Sequence, residues 1–446
     1  MCVVGAGTAG AVAAMSAKAH GVSVALIDTK PRNQIGNKVC GDTVSCSIIQ
    51  RLGELVGFRG LMNSVERTLT GVEIFLKDTD YSMSTEVEFY SVDRLTLGQE
   101  LVASCEGMGV KISDGCAFLR PIFADGVVSG IQAHSHVNGI IEIDAPIVID
   151  ATGLAGRVRK FFPPISESLD PYDMWNCYRE IRKLEKETEL VSSMSYYVDQ
   201  RLAPGGISWS FPRSSTNVNA GVCTPSITGF NPKQLFDKFV VETSYFTNSK
   251  VLESAAAPEP VRRPLNTLVS DGVMVVGDAA FQTSPITGGG IDYSIYAGEI
   301  AGRVAAQSMS KKGVEARDLW PYNLEFMRTV GREIAIQDVF RRFLWSLTNN
   351  EVKFIVDNGL LDEHDFIHLY VGGQYSGGIV NIVKKCFRLL PCVTSLPLFF
   401  NTLQALRRVR KVARLYENFP EPHDLPEWKL KVSGLFKEMP SRIARE

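Results

Sequence analysis

Apolar residues recur along this chain in three rhythms, and each predicts a different kind of element. The first is a set of short, almost entirely apolar runs that end in glycine or a small acid. Met1 to Val4 stops at Gly5, Val22 to Ile27 stops at Asp28, Ala145 to Ile149 leads into Asp150-Ala-Thr-Gly153, and Gly272-Val-Met-Val-Val leads into Gly277-Asp278. Uniformly apolar runs of this length suit strands buried on both faces, as in a parallel sheet. An Ala-rich helical stretch to His20 follows the first such run, and a helix to about Val304 follows the last. The second rhythm is alternation. Residues 51–90 and 171–260 place apolar and polar side chains in turn, as in Gly71-Val-Glu-Ile-Phe-Leu and Ser193-Met-Ser-Tyr-Tyr-Val-Asp, which predicts half-buried strands of an antiparallel sheet with Trp209 and Phe211 on its inner face. The third is helical. Residues 306–446 read as mostly helix with a break at Gly372-Gly373 and Gly377-Gly378, and residues 403–416 set apolar positions three or four apart with five basic residues between them.

The rhythms interleave, so the predicted domains are discontinuous. Residues 1–50, 91–160 and 261–305 build an α/β domain on a Rossmann-like parallel sheet, residues 51–90 and 171–260 an antiparallel-sheet domain, and residues 306–446 a helical region. No internal repeat is visible.

The strand-to-helix turns carry the chemistry. In Gly5-Ala-Gly7-Thr-Ala-Gly10, the first glycine permits the turn, the second lets backbone approach a pyrophosphate and the third lets the helix pack on the strand. The helix then offers unpaired N–H groups to the phosphates. Asp28 stands where an acid accepts hydrogen bonds from an adenosine ribose, about 20 residues beyond the glycines. A second glycine loop follows Asp278, which can accept from a ribityl hydroxyl. The N–H groups of Gly289, Gly290 and Ile291 can meet a flavin ring edge or a phosphate.

Composition removes several alternatives. With 47 Lys+Arg against 49 Asp+Glu the net charge is −2, without the basic field that nucleic-acid binding needs. Nine cysteines, none in a Cys-x-x-Cys pair, and six scattered His show no metal-ligand spacing. In a chain this long they predict no disulfide framework, and a reducing cytoplasm is the expected setting. The apolar N-terminus lacks a basic leader and is punctuated by glycines, unlike a signal peptide. Leu389 to Phe400 is interrupted by Pro391 and Pro397 and is far short of the ~20 apolar residues of a membrane span. A soluble or peripheral protein is expected, the basic helix at 403–416 being its candidate contact with anionic lipid headgroups.

The opening GAGTAG, the ATG turn and the VGDAAF…PITGGG segment resemble the FAD-binding domain of glutathione-reductase-type flavoproteins, in the branch with the aromatic hydroxylases. That resemblance implies FAD, and it implies that Arg94, in Ser91-Val-Asp-Arg94-Leu, contacts the FAD pyrophosphate. Four further stretches are similar to the geranylgeranyl reductases of archaeal membrane-lipid synthesis. They are Lys30 to Asp42 with its Lys38-Val-Cys40-Gly41-Asp42 ending, Pro204-Gly-Gly-Ile207-Ser-Trp209-Ser-Phe211-Pro212, Val261-Arg262-Arg263-Pro264-Leu265, and Asp338-Val-Phe-Arg341-Arg342-Phe343-Leu344. The resemblance spans residues 1 to about 420. It implies that Cys40, Gly41 and Asp42 lie beside the flavin and that Ile207, Trp209 and Phe211 line a substrate pocket. That family usually has Tyr or Phe where this chain has Ile207, which bears on the chain length the pocket prefers.

By itself Cys40 is equally a small buried hydrophobe or a group that tunes the ring, holds substrate or relays a proton. Lys38 reads as a loop charge or as a guide for an anionic headgroup, and Asp292 as a helix N-terminal acid with no chemistry. The implied activity is an FAD-dependent reduction of isolated C=C bonds in geranylgeranyl chains, with a ferredoxin-like protein or NAD(P)H as electron donor. A flavin monooxygenase, and a non-redox isoprenoid cyclase or flavin-dependent regulator, share the fold and stay open at this point.

Overall fold

A computed structural model describes residues 1–57, 60–76, 82–187, 192–357 and 396–437. Its centre is a six-stranded sheet in the order Val269–Ser270, Val273–Val275, Val148–Asp150, Cys2–Val4, Ala25–Ile27, Lys111–Ser113. All neighbours are parallel except the first pair. The short apolar runs become these strands because helices cover the sheet and leave no polar face to alternate. Two of those helices, Thr8–Ala19 and Ile291–Ser310, interlock through small residues, and a Cβ at Gly298 or Gly302 would stand 2.5 Å from Ala9 O or 2.3 Å from Ala13 O. This contact joins the first glycine turn to the helix that follows the second glycine loop, about 280 residues away in sequence.

The alternating regions form a seven-stranded sheet in the order Lys250–Pro260, Met174–Lys183, Asn217–Pro225, Ile207–Pro212, Ser193–Val198, Gly71–Leu76, Ser82–Thr85. Two details differ from the expectation. The sheet is mixed, since Ser193–Val198 runs parallel to Gly71–Leu76. No hairpin joins these two strands, so nothing fixes them antiparallel. Moreover, not all of 51–90 enters this sheet: Phe89–Val92 is the central strand of a small separate sheet, paired antiparallel with Thr43–Ser45 on one side and Val65–Leu69 on the other. A third departure is covalent. Cys177 and Cys223, opposite one another on neighbouring strands, form a disulfide with Cα atoms 4.1 Å apart. Strand register places them together, and a 46-residue separation gives no hint of it.

The described part of residues 306–446 is helical, with Ala316–Phe326, Arg332–Trp345, Asn349–Asp357, Leu396–Glu417 and Leu425–Lys437. The expected glycine break at 372–378 and most of the Leu389 to Phe400 run lie outside the described residues. Two of the family-like motifs meet here as structure. Buried Asp338 accepts from Arg341, Arg342 and the backbone of Arg263, while both arginines also bond Asp173 at the root of the seven-stranded sheet. Burial alone would raise the Asp338 carboxyl, but Arg342 and Arg341 outweigh it and hold it below the usual carboxylate range. The cluster ties the helix Arg332–Trp345 to Arg263 and to the start of the seven-stranded sheet. No described helix is long and apolar enough to cross a membrane.

Candidate functional site

One cavity opens between the parallel sheet and the seven-stranded sheet, and it collects nearly every residue singled out above. Gly5, Gly7, Asp28, Cys40, Gly41, Asp42 and Arg94 line it together with Asp278, Gly289, Gly290 and Ile291, while Ile207, Trp209 and Phe211 supply its far side. Gly10 is the exception. Its Cβ would meet Gly5 O at 1.9 Å, so it serves helix-on-strand packing and touches no ligand space.

The first turn is built for a dinucleotide. Gly5 adopts φ +106°, and a Cβ there would stand 2.2 Å from Ala151 O. Nothing lies within 4 Å of a Cβ placed on Gly7, which therefore faces open space at the helix N-terminus. Asp28 fixes the turn by accepting from Ala6 N at 2.7 Å and Lys30 N at 2.8 Å, and its remaining lone pairs face the cavity. Arg94 is the clearest sign of a missing partner. Only 9% exposed, it donates from Nη2 to Thr8 Oγ1 at 3.2 Å, while its Nε and Nη1 are buried without acceptors. An unpaired buried guanidinium is costly, and a pyrophosphate beside the helix N-terminus would satisfy it. These residues fit FAD.

Further along, Lys38 reaches into the cavity and donates to Asp278 Oδ2 at 2.7 Å, the carboxylate expected to meet a ribityl hydroxyl. It is not a free loop charge. Asp292 accepts from Ser45 N at 3.2 Å and so ties its helix N-terminus to the strand Thr43–Ser45. Asp150, which sequence reasoning treated only as a strand end, organises the second turn by accepting from the backbone N–H groups of Thr152, Val158 and Arg159.

The Cys40 loop is tied to the sheet beneath it. Trp209 Nε1 donates to Asn219 Oδ1 at 3.1 Å, and Asn219 Nδ2 donates to Cys40 O at 2.8 Å and to Asp42 Oδ2 at 2.7 Å. Gly41 must be glycine because a Cβ would press to 2.9 Å from the Phe211 ring. Asp42 takes the left-handed φ of 62°, uncommon for a non-glycine residue. Its Oδ1 is buried without a partner, and burial pushes its carboxyl up to about 6 against the pull of Arg179 and Arg94. Burial, then the nearby Asp42, pushes the Cys40 thiol up, so it stays protonated. Asn219, Arg179 and Glu259 are the residues sequence reasoning missed. Glu259, on the cavity wall at the end of the edge strand, has its carboxyl pushed up to about 8 by burial, opposed by Lys38. Strand register puts all three on the face that carries Trp209, and only the loop packed on that face reveals what they meet.

A glycine turn with its acid, a buried guanidinium awaiting phosphate and a second glycine loop around one cavity define an FAD-dependent oxidoreductase. The sequence agrees: residues 1–158 match the FAD dependent oxidoreductase family and residues 173–258 the geranylgeranyl reductase catalytic domain. The chain is 28% identical to the digeranylgeranylglycerophospholipid reductase of Sulfolobus acidocaldarius over 98% of its length and 97% of the relative's. It is 28% identical to the reductase of the same name from Methanothrix thermoacetophila over 79% and 88%. Among solved structures, a geranylgeranyl bacteriochlorophyll reductase-like protein of Thermoplasma acidophilum superposes with a TM-score of 0.75 at 21% identity, covering 87% of this chain and 98% of that one. A myxobacterial chondrochloren halogenase, an FAD-dependent enzyme, shares the fold at a TM-score of 0.68 and 14% identity over 93% and 96%. The chain is an FAD-dependent oxidoreductase that is similar to the geranylgeranyl reductases.

Proposed function

We propose that this protein saturates isolated C=C bonds in the geranylgeranyl chains of archaeal ether phospholipids or their precursors. The observation that carries the reading is the continuity of the cavity: the dinucleotide cradle of Gly7, Asp28 and Arg94 runs into an apolar floor of Ile207, Trp209, Phe211 and Tyr196, with the Cys40 loop at the junction. Bound FAD would supply a hydride. The chain's own residues do the rest. Gly7, Arg94 and the loop at Gly289 to Ile291 orient the cofactor, and the aromatic floor holds an apolar chain and excludes water. The buried Cys40 thiol keeps a proton at the junction, where an unactivated alkene needs one as it takes hydride.

Electrons enter from a ferredoxin-like protein or from NAD(P)H, and rapid-mixing reduction with each donor assigns which. Docking at a lipid surface is the role we give to Leu396–Glu417. Its Val409, Val412 and Tyr416 are buried against the protein, leaving Arg407, Lys411 and Arg414 exposed in one stripe toward anionic headgroups. The activity is tested by incubating reduced protein with geranylgeranyl lipid precursors and weighing the products.

A further inference from the structure

The cavity floor carries a feature that neither cofactor binding nor the reductase reading uses. Strand register lays Ala257, Cys177, Cys223 and Ile207 side by side across four strands, and all four line the cavity. Two residues further along the same face, Gly221 pairs with Trp209. The Cys177–Cys223 disulfide therefore lies on the floor, one row from the tryptophan, within reach of whatever enters the cavity. Its Cα atoms are 4.1 Å apart, tighter than the ~4.5 Å of the closest ordinary antiparallel pairs. Breaking the bridge would let the sulfurs part and the strands relax beside Ile207. Cys40 lines the same cavity, but its thiol is held protonated and is a poor nucleophile, so the attacking group must come from elsewhere.

We propose that Cys177 and Cys223 are a redox-active pair, reduced and reoxidised by exchange with a dithiol, and that their state sets the shape of the cavity floor. One thiolate of the dithiol attacks Sγ of either cysteine, breaking the Sγ–Sγ bond and releasing the other cysteine. The second thiolate of the dithiol then attacks its own partner sulfur and frees the first. Two electrons pass to the pair, the dithiol leaves as a disulfide, and its two protons end on Cys177 and Cys223. The oxidised form of the same dithiol runs the exchange backwards. The oxidised floor is drawn together; the reduced floor is broader and lined by two thiols.

The test uses the FAD-loaded full chain, oxidised with oxidised dithiothreitol or reduced with dithiothreitol, with no denaturant present. After acid quenching, alkylation in denaturant and mass spectrometry, native reduction should add two labels, on the peptides of Cys177 and Cys223. Binding of a geranylgeranyl phospholipid should differ about fivefold between the two forms, the lower end of ordinary coupling between sites. The Cys177→Ala/Cys223→Ala double variant should bind equally under both conditions. Labels gained only after unfolding, or a pair that never oxidises, would overturn the proposal. So would a change of thiol state that leaves lipid affinity unmoved, a comparison that stands on wild-type protein even if the variant does not fold. The consequence for binding rests on the proposed lipid reading, whereas the thiol counts do not. Absence of lipid binding in both forms would count against that reading, and equal binding in both against the switch.

Discussion

The two walls of the cavity are made by different means. On the cofactor wall, backbone does the work: a left-handed Gly5, an open Gly7 and helix N-termini, helped by one acid and one arginine. On the substrate wall side chains do it: Trp209, Asn219, Phe211 and Cys40 are linked across three segments by hydrogen bonds and ring packing. A backbone-built wall should fail by losing its ligand while the fold survives, and a side-chain-built wall should fail by losing both.

The largest effect is expected where that rule is deliberately broken. Gly10 belongs to the cofactor turn but packs on Gly5 behind the cavity, so Gly10→Val should collapse the fold there, costing well over the ~1–3 kcal/mol of ordinary overpacking because backbone must move. Gly7→Val, three residues earlier in the same motif, should leave the melting temperature of the apoprotein nearly unchanged yet abolish FAD retention, since its side chain would fill only the open cradle. Calorimetry and flavin absorbance on both variants check the pair. If Gly7→Val retains flavin, the cradle is misplaced.

Next is Trp209→Ala. At 6% exposure, with its Nε1 bonded to Asn219, the ring is core as well as pocket, so the variant should lose about 3–5 kcal/mol in denaturant unfolding. The Cys40 loop should loosen too, so the flavin spectrum should shift. Trp209→Phe keeps an aromatic ring and most of the apolar packing but leaves Asn219 Oδ1 unpaired, and should cost less, about 1–3 kcal/mol. A Trp209→Ala protein of wild-type stability would show that the wall is not built by packing.

Arg94→Ala should weaken FAD binding by about 10- to 100-fold, the value of one or two charge-assisted hydrogen bonds, with little change in the apoprotein because two guanidinium nitrogens have no partner there. Titration of apoprotein with FAD reads this directly. Cys40→Ala should leave flavin reduction intact and slow reoxidation by the alkene by about 10²–10⁴-fold, the usual range for a lost general acid. Rapid mixing separates the two half-reactions, and equal rates for both proteins would remove Cys40 from the proton path.

The smallest effect is on pH. Asp42 and Glu259 both hold protons more tightly folded than unfolded, because burial raises their carboxyls to about 6 and about 8. The stability this gives is full below pH ~4, where both forms are protonated, and is lost as pH rises through 6 and then 8. The apoprotein should therefore melt progressively lower from pH 5 to pH 8, and Asp42→Asn with Glu259→Gln should flatten the slope. A wild-type melting temperature that stays flat from pH 5 to pH 8 would mean that both carboxylates are ionised in the fold.

The same contrast explains how much could be read from the sequence. The cofactor wall is written locally, with Gly5, Gly7 and Asp28 at fixed spacing and Asp278 leading its own glycine loop, and all of them face the cavity as expected. The motif residues Trp209 and Phe211 were found through their resemblance to a family, while alternation showed only which face they share. What remained hidden depends on register between distant strands. The pairing of Cys177 with Cys223, the parallel entry of Gly71–Leu76 and the reach of Asn219 to Cys40 are set by long-range pairing that no local window contains. The Arg262–Arg263 and Asp338–Arg342 motifs were visible, but their role as one buried clamp with Asp173 was not.

The central claim is that one cavity delivers hydride from a cofactor on one wall to an alkene held by the other. Its most direct test is mass spectrometry of a geranylgeranyl phospholipid precursor after incubation with the dithionite-reduced, FAD-loaded protein. The account predicts a ladder of products rising by about 2 Da for each bond saturated, as hydride and proton add across it. Products heavier by about 16 Da, requiring oxygen, or an unchanged lipid beside fully reduced flavin would contradict it.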